Sequence, residues 1–364
     1  MRLRIGRHRR IEAVLLATAV VAAMIGSNVA VASGPRCRAF NIPVTVPGLM
    51  APQSMYGELC LPGSGPAHTA HLLVTPIASD HLYWNPPFTP ASHFSYALAL
   101  TSAGYATLSI DPIGSAKSST PPSVFMTVRA YAEQVHQLVT MLRSGALGGR
   151  VFNKVVADGW SNGALTAVEE DARFHDVDGL VLAGYAFPPN GPNAATGVGT
   201  DIEPAAAEPR FAGRGLDPGY LAFKADFYQR LIVSPDGYDP KVVARMAFFA
   251  EPFGNRHVLT VAADLAGSAT PATSPSRDVD APVLAGIGSE DMIFCGTPPN
   301  GTDCSSSVAF GGAIRPLFPS APRFEAFVLP HSGPAMSLAL NATEWFAKVV
   351  AWSNAVVGQD GRVA

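Results

Sequence analysis

The chain has 364 residues, 48% hydrophobic and 15% charged, which is enough apolar material to bury a large core and too much for a disordered chain. Its formal net charge is -3, and no run of Lys and Arg interleaved with aromatics follows residue 10, so there is no electrostatic footprint for nucleic acid. The length suits one domain carrying an insertion, or two small domains.

Met1 to Arg10 carries five arginines, residues 11–32 are almost wholly apolar and small, and Ala30-Val31-Ala32 precedes Ser33. This predicts a signal peptide over residues 1–32, cleaved after Ala32, and hence a secreted protein. An uncleaved membrane anchor is the alternative, since the apolar run approaches a spanning length with Glu12 only at its edge. All four cysteines, Cys37, Cys60, Cys295 and Cys304, follow that segment, and an even number in an oxidising compartment predicts two disulfides. Three connectivities are open; Cys37 with Cys60 and Cys295 with Cys304 are favoured because each closes a short local loop. No CxxC or paired-histidine spacing accompanies them, so no metal is expected there.

Residues 34–62 alternate polar and apolar positions around Pro47-Gly48, predicting an antiparallel hairpin. Apolar runs at His71 to Ile77, Tyr105 to Ile110, Val151 to Ala157 and Leu180 to Gly184 predict buried parallel strands. Between them, Val128, Tyr131, Val135, Leu138 and Leu142 fall at helical spacing, and Gly145 to Gly149 end that helix. This alternation predicts an α/β fold with a mostly parallel central sheet, its first part spanning residues 33–186. Over 187–280 the pattern breaks into Pro-, Ala- and Gly-dense sequence with helical stretches at Tyr220 to Ile232 and Pro240 to Phe253, read as an inserted helical cap. The core resumes over 281–364 with strands at Pro282 to Gly286 and Phe324 to Leu329 and a helix over Met336 to Val357. No internal repeat and no GxGxxG after a strand is present, so no nucleotide cofactor is expected.

The segment Phe152 to Ala164 reads as a strand entering Gly159-Trp160-Ser161-Asn162-Gly163 and then a helix, the setting of a GxSxG nucleophile elbow. Both flanking glycines are needed because the crowded turn leaves no room for a Cβ. A serine so placed needs a histidine to take its proton and a carboxylate to orient that histidine. Asp291, in the loop after the strand Val283 to Ala285, is the candidate acid, with Glu290 its neighbouring rival. His331 is the sole histidine beyond it and the candidate base. His68, His71, His81, His93, His136, His175 and His257 are expected to be structural.

The elbow, the position of Asp291, the final strand-histidine-helix unit and the mid-chain cap resemble the α/β-hydrolase superfamily over roughly Cys37 to Val357. Asp111-Pro-Ile-Gly114-Ser-Ala-Lys-Ser118 is similar to the D-x-x-G-x-G-x-S turn of these proteins. Tyr83-Trp84 is similar to an aromatic pair of some exported bacterial members. The chain departs from the pattern at Thr75-Pro76 in place of His-Gly, at Trp160 before the serine, at Ala116 in place of glycine, and at His331. That histidine stands three residues before Pro334, the second residue of a Gly333-Pro334 pair where the family has Gly-His. Proline offers no N–H, so the resemblance implies an oxyanion hole made by the N–H groups of Ile77 and Asn162. It implies cleavage of a carboxylic ester through an acyl-enzyme on Ser161, with no metal or cofactor. The cap aromatics Phe211, Tyr220, Phe223, Phe227, Tyr228, Phe248 and Phe249, with Met246, suit an apolar ester or acyl ligand unless they form the cap's own core. An inactive relative that binds an apolar ligand, and a peptidase or acyltransferase with the same triad, are the alternatives. Oligomeric state is not readable.

Overall fold

The computed structural model describes residues 34–359 except 77, 89, 195–199, 235, 247–249 and 268–272, with the backbone alone at 246 and 264–267. The expected signal peptide over 1–32 lies outside the described residues, as do Ile77, Phe248, Phe249 and the side chain of Met246.

Among the described residues, eleven strands fall into two sheets. The larger is ordered β1-β2-β4-β3-β5-β6-β10-β11, where β1 is Arg36–Val44, β2 Gln53–Leu61, β3 Thr69–Val74, β4 Ala106–Ile110, β5 Lys154–Trp160, β6 Gly179–Ala183, β10 Val283–Gly288 and β11 Phe324–Leu329. Strands β4 to β11 of this sheet run parallel, while β1 and β2 form an antiparallel hairpin added through β4. The continuous apolar runs became the central strands because helices cover both faces, leaving β3, β4, β6 and β10 buried throughout. Strand β3 stops at Val74, short of the expected Ile77, where Pro76 has no N–H to continue a ladder.

In the hairpin Cys37 stands opposite Cys60 and the two are bonded; Cys295 is bonded to Cys304. Both favoured pairings are therefore the ones formed. The helix Val128–Ser144 opens where Thr127 accepts from the Ala130 N–H and ends at Gly145, whose φ of 76° is left-handed. Its residues at positions 128, 131, 135, 138 and 142 are buried against the sheet. Across the sheet, the Asp158 carboxyl of β5 accepts from His71 Nδ1 and the Tyr96 hydroxyl, so this buried polar group has two partners.

The described residues of 187–280, the segment expected as a helical cap, carry strands as well as helices. Strands β7 (Ile202–Pro204), β8 (Tyr220–Phe223) and β9 (Phe253–Gly254) form a three-stranded antiparallel sheet. The expected helix over Tyr220 to Ile232 begins as β8, with burial alternating along it, and becomes helical only at Tyr228–Ile232. The second expected stretch is a helix over Pro240–Met246 alone, and a further helix, Asn255–Gly267, follows β9. The terminal helix is regular over Ala342–Val356, preceded by a separate 3₁₀ turn at Met336–Leu338.

Candidate active site

Strand β5 ends at Trp160, and the helix Asn162–Phe174 begins two residues later, so Ser161 alone makes the turn. Its backbone sits at φ 53°, ψ -121°, a strained region for a residue with a Cβ. A Cβ on Gly159 would stand 2.4 Å from the backbone of Ala164, and one on Gly163 would stand 2.1 Å from the Val74 carbonyl oxygen. Only glycine lets the helix start this close to β3 and β5. The Ser161 N–H donates to Ala183 O at 2.7 Å, and its side chain is half-buried.

Asp291 follows β10 and is fully buried. Its Oδ1 accepts from the N–H groups of Ile293 and Phe294 at 2.9 and 3.0 Å, while Oδ2 has no hydrogen-bond partner among the described residues. Burial pushes this carboxyl from its ordinary 3.8 up to about 7, against the two N–H groups that favour the charge. Folding then takes up a proton between those values, so Asp291 costs stability progressively as the pH rises from about 4 to about 7. Asp80, also raised to about 7, mainly by burial and then by Asp111, slopes the same way. Thermal unfolding followed from pH 4 to pH 7 should show Asp291→Asn losing less stability than wild type; an unchanged slope would remove the buried charge from the account.

His331 follows β11 and turns outward. Its ring is 81% exposed, with Nδ1 3.4 Å from Glu290 Oε1, and its own backbone is left-handed at φ 53°. Its N–H donates to Ser289 Oγ at 2.9 Å. The structure thus pairs the histidine with Glu290, the rival acid, and among the described residues no hydrogen bond joins it to Asp291 or Ser161. The next residue points inward instead: Ser332 is fully buried, its carbonyl accepts from Glu290 N–H at 2.9 Å, and its hydroxyl lies 3.3 Å from the Tyr238 hydroxyl.

Trp160, which stands where histidine is common, has a role that the sequence did not reveal. Its Nε1 donates to Pro334 O at 2.7 Å while its ring stacks on Tyr83 at 3.8 Å, so the residue before the serine ties down the far side of the histidine loop. Gly237 supports the near side so closely that a Cβ there would stand 2.0 Å from His331 O.

Asn162 opens its helix, where backbone N–H groups have no intrahelical acceptor. Its side-chain Oδ1 lies 2.6 Å from Nε2 of His257 on the cap helix Asn255–Gly267. His257 is fully buried, and burial drives it down to about 3, so it is neutral and holds the cap to the elbow. The second expected donor, Ile77, lies outside the described residues. Beside it, Thr75 Oγ1 donates to Ile110 O at 2.7 Å and accepts from Trp84 Nε1 at 2.9 Å, fixing the strand end.

A cavity of about 710 Å³ lies between the loops after β3 and β4 and the cap, lined by Asp80, Lys117, Phe211, Arg214 and Glu251 among others. Its walls mix charged side chains with apolar ones such as Leu82, Phe211 and Ala250. Of the cap aromatics, Phe211 lines it, whereas Phe223 and Phe227 stack on one another at 3.9 Å. The Tyr220 and Tyr228 hydroxyls donate to Pro121 O and Ala78 O, pinning the cap to the core.

No family model and no curated protein sequence matches the chain. Solved structures do. A soluble variant of monoglyceride lipase from Saccharomyces cerevisiae superposes with TM-score 0.57 at 15% identity, over 86% of this chain and 96% of that one. A lipase in its open form gives 0.55 at 17% identity over 88% and 99%, and a bromoperoxidase from Bacillus anthracis gives 0.53 at 16% over 83% and 96%. Together with the eight-stranded sheet and the elbow after β5, these likenesses establish that the chain has the α/β-hydrolase fold.

Proposed function

We propose that the protein is an exported serine hydrolase that cleaves a carboxylic ester through an acyl-enzyme on Ser161. The observation that carries this reading is a serine held at strained φ by two obligatory glycines, together with a fully buried carboxylate at Asp291 whose Oδ2 has no partner. Strain and an unsatisfied buried acid both cost stability, and both are what a triad requires before its imidazole docks.

In this mechanism His331 leaves Glu290 and donates Nδ1–H to Asp291 Oδ2. Glu290 and Asp291 are consecutive, so the exchange is a change of partner along one loop. The imidazole Nε2 then takes the Ser161 proton as Oγ attacks the acyl carbon. Backbone N–H groups at Asn162 and Ile77 stabilise the oxyanion, and the proton passes to the departing alcohol as the tetrahedral intermediate collapses. Water, deprotonated by the same imidazole, releases the acid. Docking requires ionised Asp291, so kcat/KM should rise with pH through about 7, opposite to stability.

The test is hydrolysis of short-chain nitrophenyl esters and labelling by a fluorophosphonate, each beside Ser161→Ala. Serine-dependent turnover supports the reading. The outward ring of His331 favours a second reading, a non-catalytic relative that keeps the pocket for a ligand, and that reading gains if neither probe reacts. Export is supported by the arginine-rich, apolar N-terminus and by the two disulfides. Protein recovered from culture medium should begin at Ser33 by intact mass; a cell-bound chain retaining residues 1–32 would instead be anchored.

A further inference from the structure

Away from the elbow, the helices Val128–Ser144 and Asn162–Phe174 pack side by side and bring together His136, Glu170 and Asp176. His136 Nδ1 lies 2.7 Å from Asp176 Oδ2 and 4.0 Å from Glu170 Oε1, and its ring is fixed by stacking on Phe174 at 4.0 Å. Glu170 has 0% side-chain exposure, and neither of its carboxylate oxygens has a hydrogen-bond partner among the described residues. Asp176 Oδ1 is likewise buried without one. The nearby cation, Arg143, is spent elsewhere, donating to Asp178 Oδ2 and to the backbone carbonyls of Asp176 and Asn153.

Two buried carboxylates brought together are costly unless a cation or a proton joins them, and the His136 Nδ1 donor reaches only Asp176 at hydrogen-bond distance. One imidazole nitrogen and two carboxylates are the donor set of a first-row divalent ion, since hard cations such as Mg²⁺ and Ca²⁺ take oxygen alone. Around a centre with ligand bonds of about 2.0–2.2 Å, tetrahedral ligands stand roughly 3.3–3.6 Å apart, a spacing bracketed by the 2.7 and 4.0 Å seen here. His136 and Asp176 are 35% and 24% exposed, which leaves an entry path from solvent and room for water in a fourth position.

We propose that His136 Nδ1, Glu170 and Asp176 form a binding site for a first-row divalent cation that clamps the elbow helix to its neighbour. The imidazole gives up its hydrogen bond to Asp176 and binds as the neutral Nε2–H tautomer through the Nδ1 lone pair, a neutral ring gaining a proton at Nε2 as it loses the one at Nδ1 and an imidazolium releasing one to solvent; any proton held on the Glu170 and Asp176 carboxyls leaves to solvent as well. The site does not touch Ser161, so it stands or falls independently of the catalytic reading.

The purified protein, stripped with a chelator, should bind one equivalent of Zn²⁺ by calorimetry, and its Tm should rise with Zn²⁺ concentration. Glu170→Gln, nearly isosteric, and His136→Ala should each weaken binding at least 10-fold and abolish the Tm response. Glu170→Gln also supplies a donor toward Asp176, so it keeps the fold even if His136→Ala does not. Absence of a bound equivalent, or binding that survives Glu170→Gln, would overturn the proposal. A Tm unmoved by Zn²⁺ but preserved in Glu170→Gln would show that a shared proton joins the pair instead.

Discussion

Ser161→Ala is expected to lower kcat/KM toward a short-chain ester by at least about 10⁴-fold, and His331→Ala by a similar factor, with the double variant no worse than either. Nucleophile and base act as a unit, so once one is lost the other has nothing to do. The residual rate would come from the backbone donors at the elbow. Glu290→Gln separates this account from a merely structural role for the loop. It removes the charge that holds the His331 ring outward while leaving Asp291, Ser289 and the loop backbone in place, so turnover should hold or rise. A His331→Ala enzyme with wild-type kcat/KM would mean that the base lies elsewhere.

The second large effect is on folding. Gly163→Ala would place a Cβ 2.1 Å from Val74 O and 3.3 Å from Pro76 N, both backbone atoms with no side-chain freedom to yield. Relief requires the helix Asn162–Phe174 to move away from β3, which also displaces Ser161. A loss of about 3 kcal/mol or more in urea unfolding is expected, at the upper end for overpacking. Gly312, in the helix Ser307–Ile314 with nothing within 4 Å of its Cβ position, is the control. There alanine should stabilise by about 0.5–1 kcal/mol. Equal effects at the two positions would contradict the argument from close approach.

What was readable in the sequence follows the range of the forces involved. The parallel strands, the helix Val128–Ser144, both disulfides and the elbow are set by local periodicity, by short loops or by glycine sterics, and all could be placed from residues near in sequence. The cap sheet could not, because β8 pairs with β7 and β9 across long separations and its four residues are too short for a strand pattern to outweigh helical spacing. Asp291 could be placed by its position after a strand, but its unpaired oxygen could not. The orientation of His331 depends on Glu290, Ser289 and Gly237, which no spacing rule connects to it. Trp160 could be noted as a departure, yet its bond to Pro334 O requires the fold. The charged groups among the lining of the large cavity, Asp80, Lys117, Arg214 and Glu251, are likewise far apart in the chain.

The central claim is that Ser161 is a nucleophile whose imidazole partner docks on Asp291, and the structure of the fluorophosphonate-treated protein tests it most directly. The account predicts phosphorus on Ser161 Oγ, His331 Nδ1 within about 3 Å of Asp291 Oδ2, and Nε2 facing the modified oxygen. An unmodified Ser161, with the His331 ring still against Glu290, would contradict it.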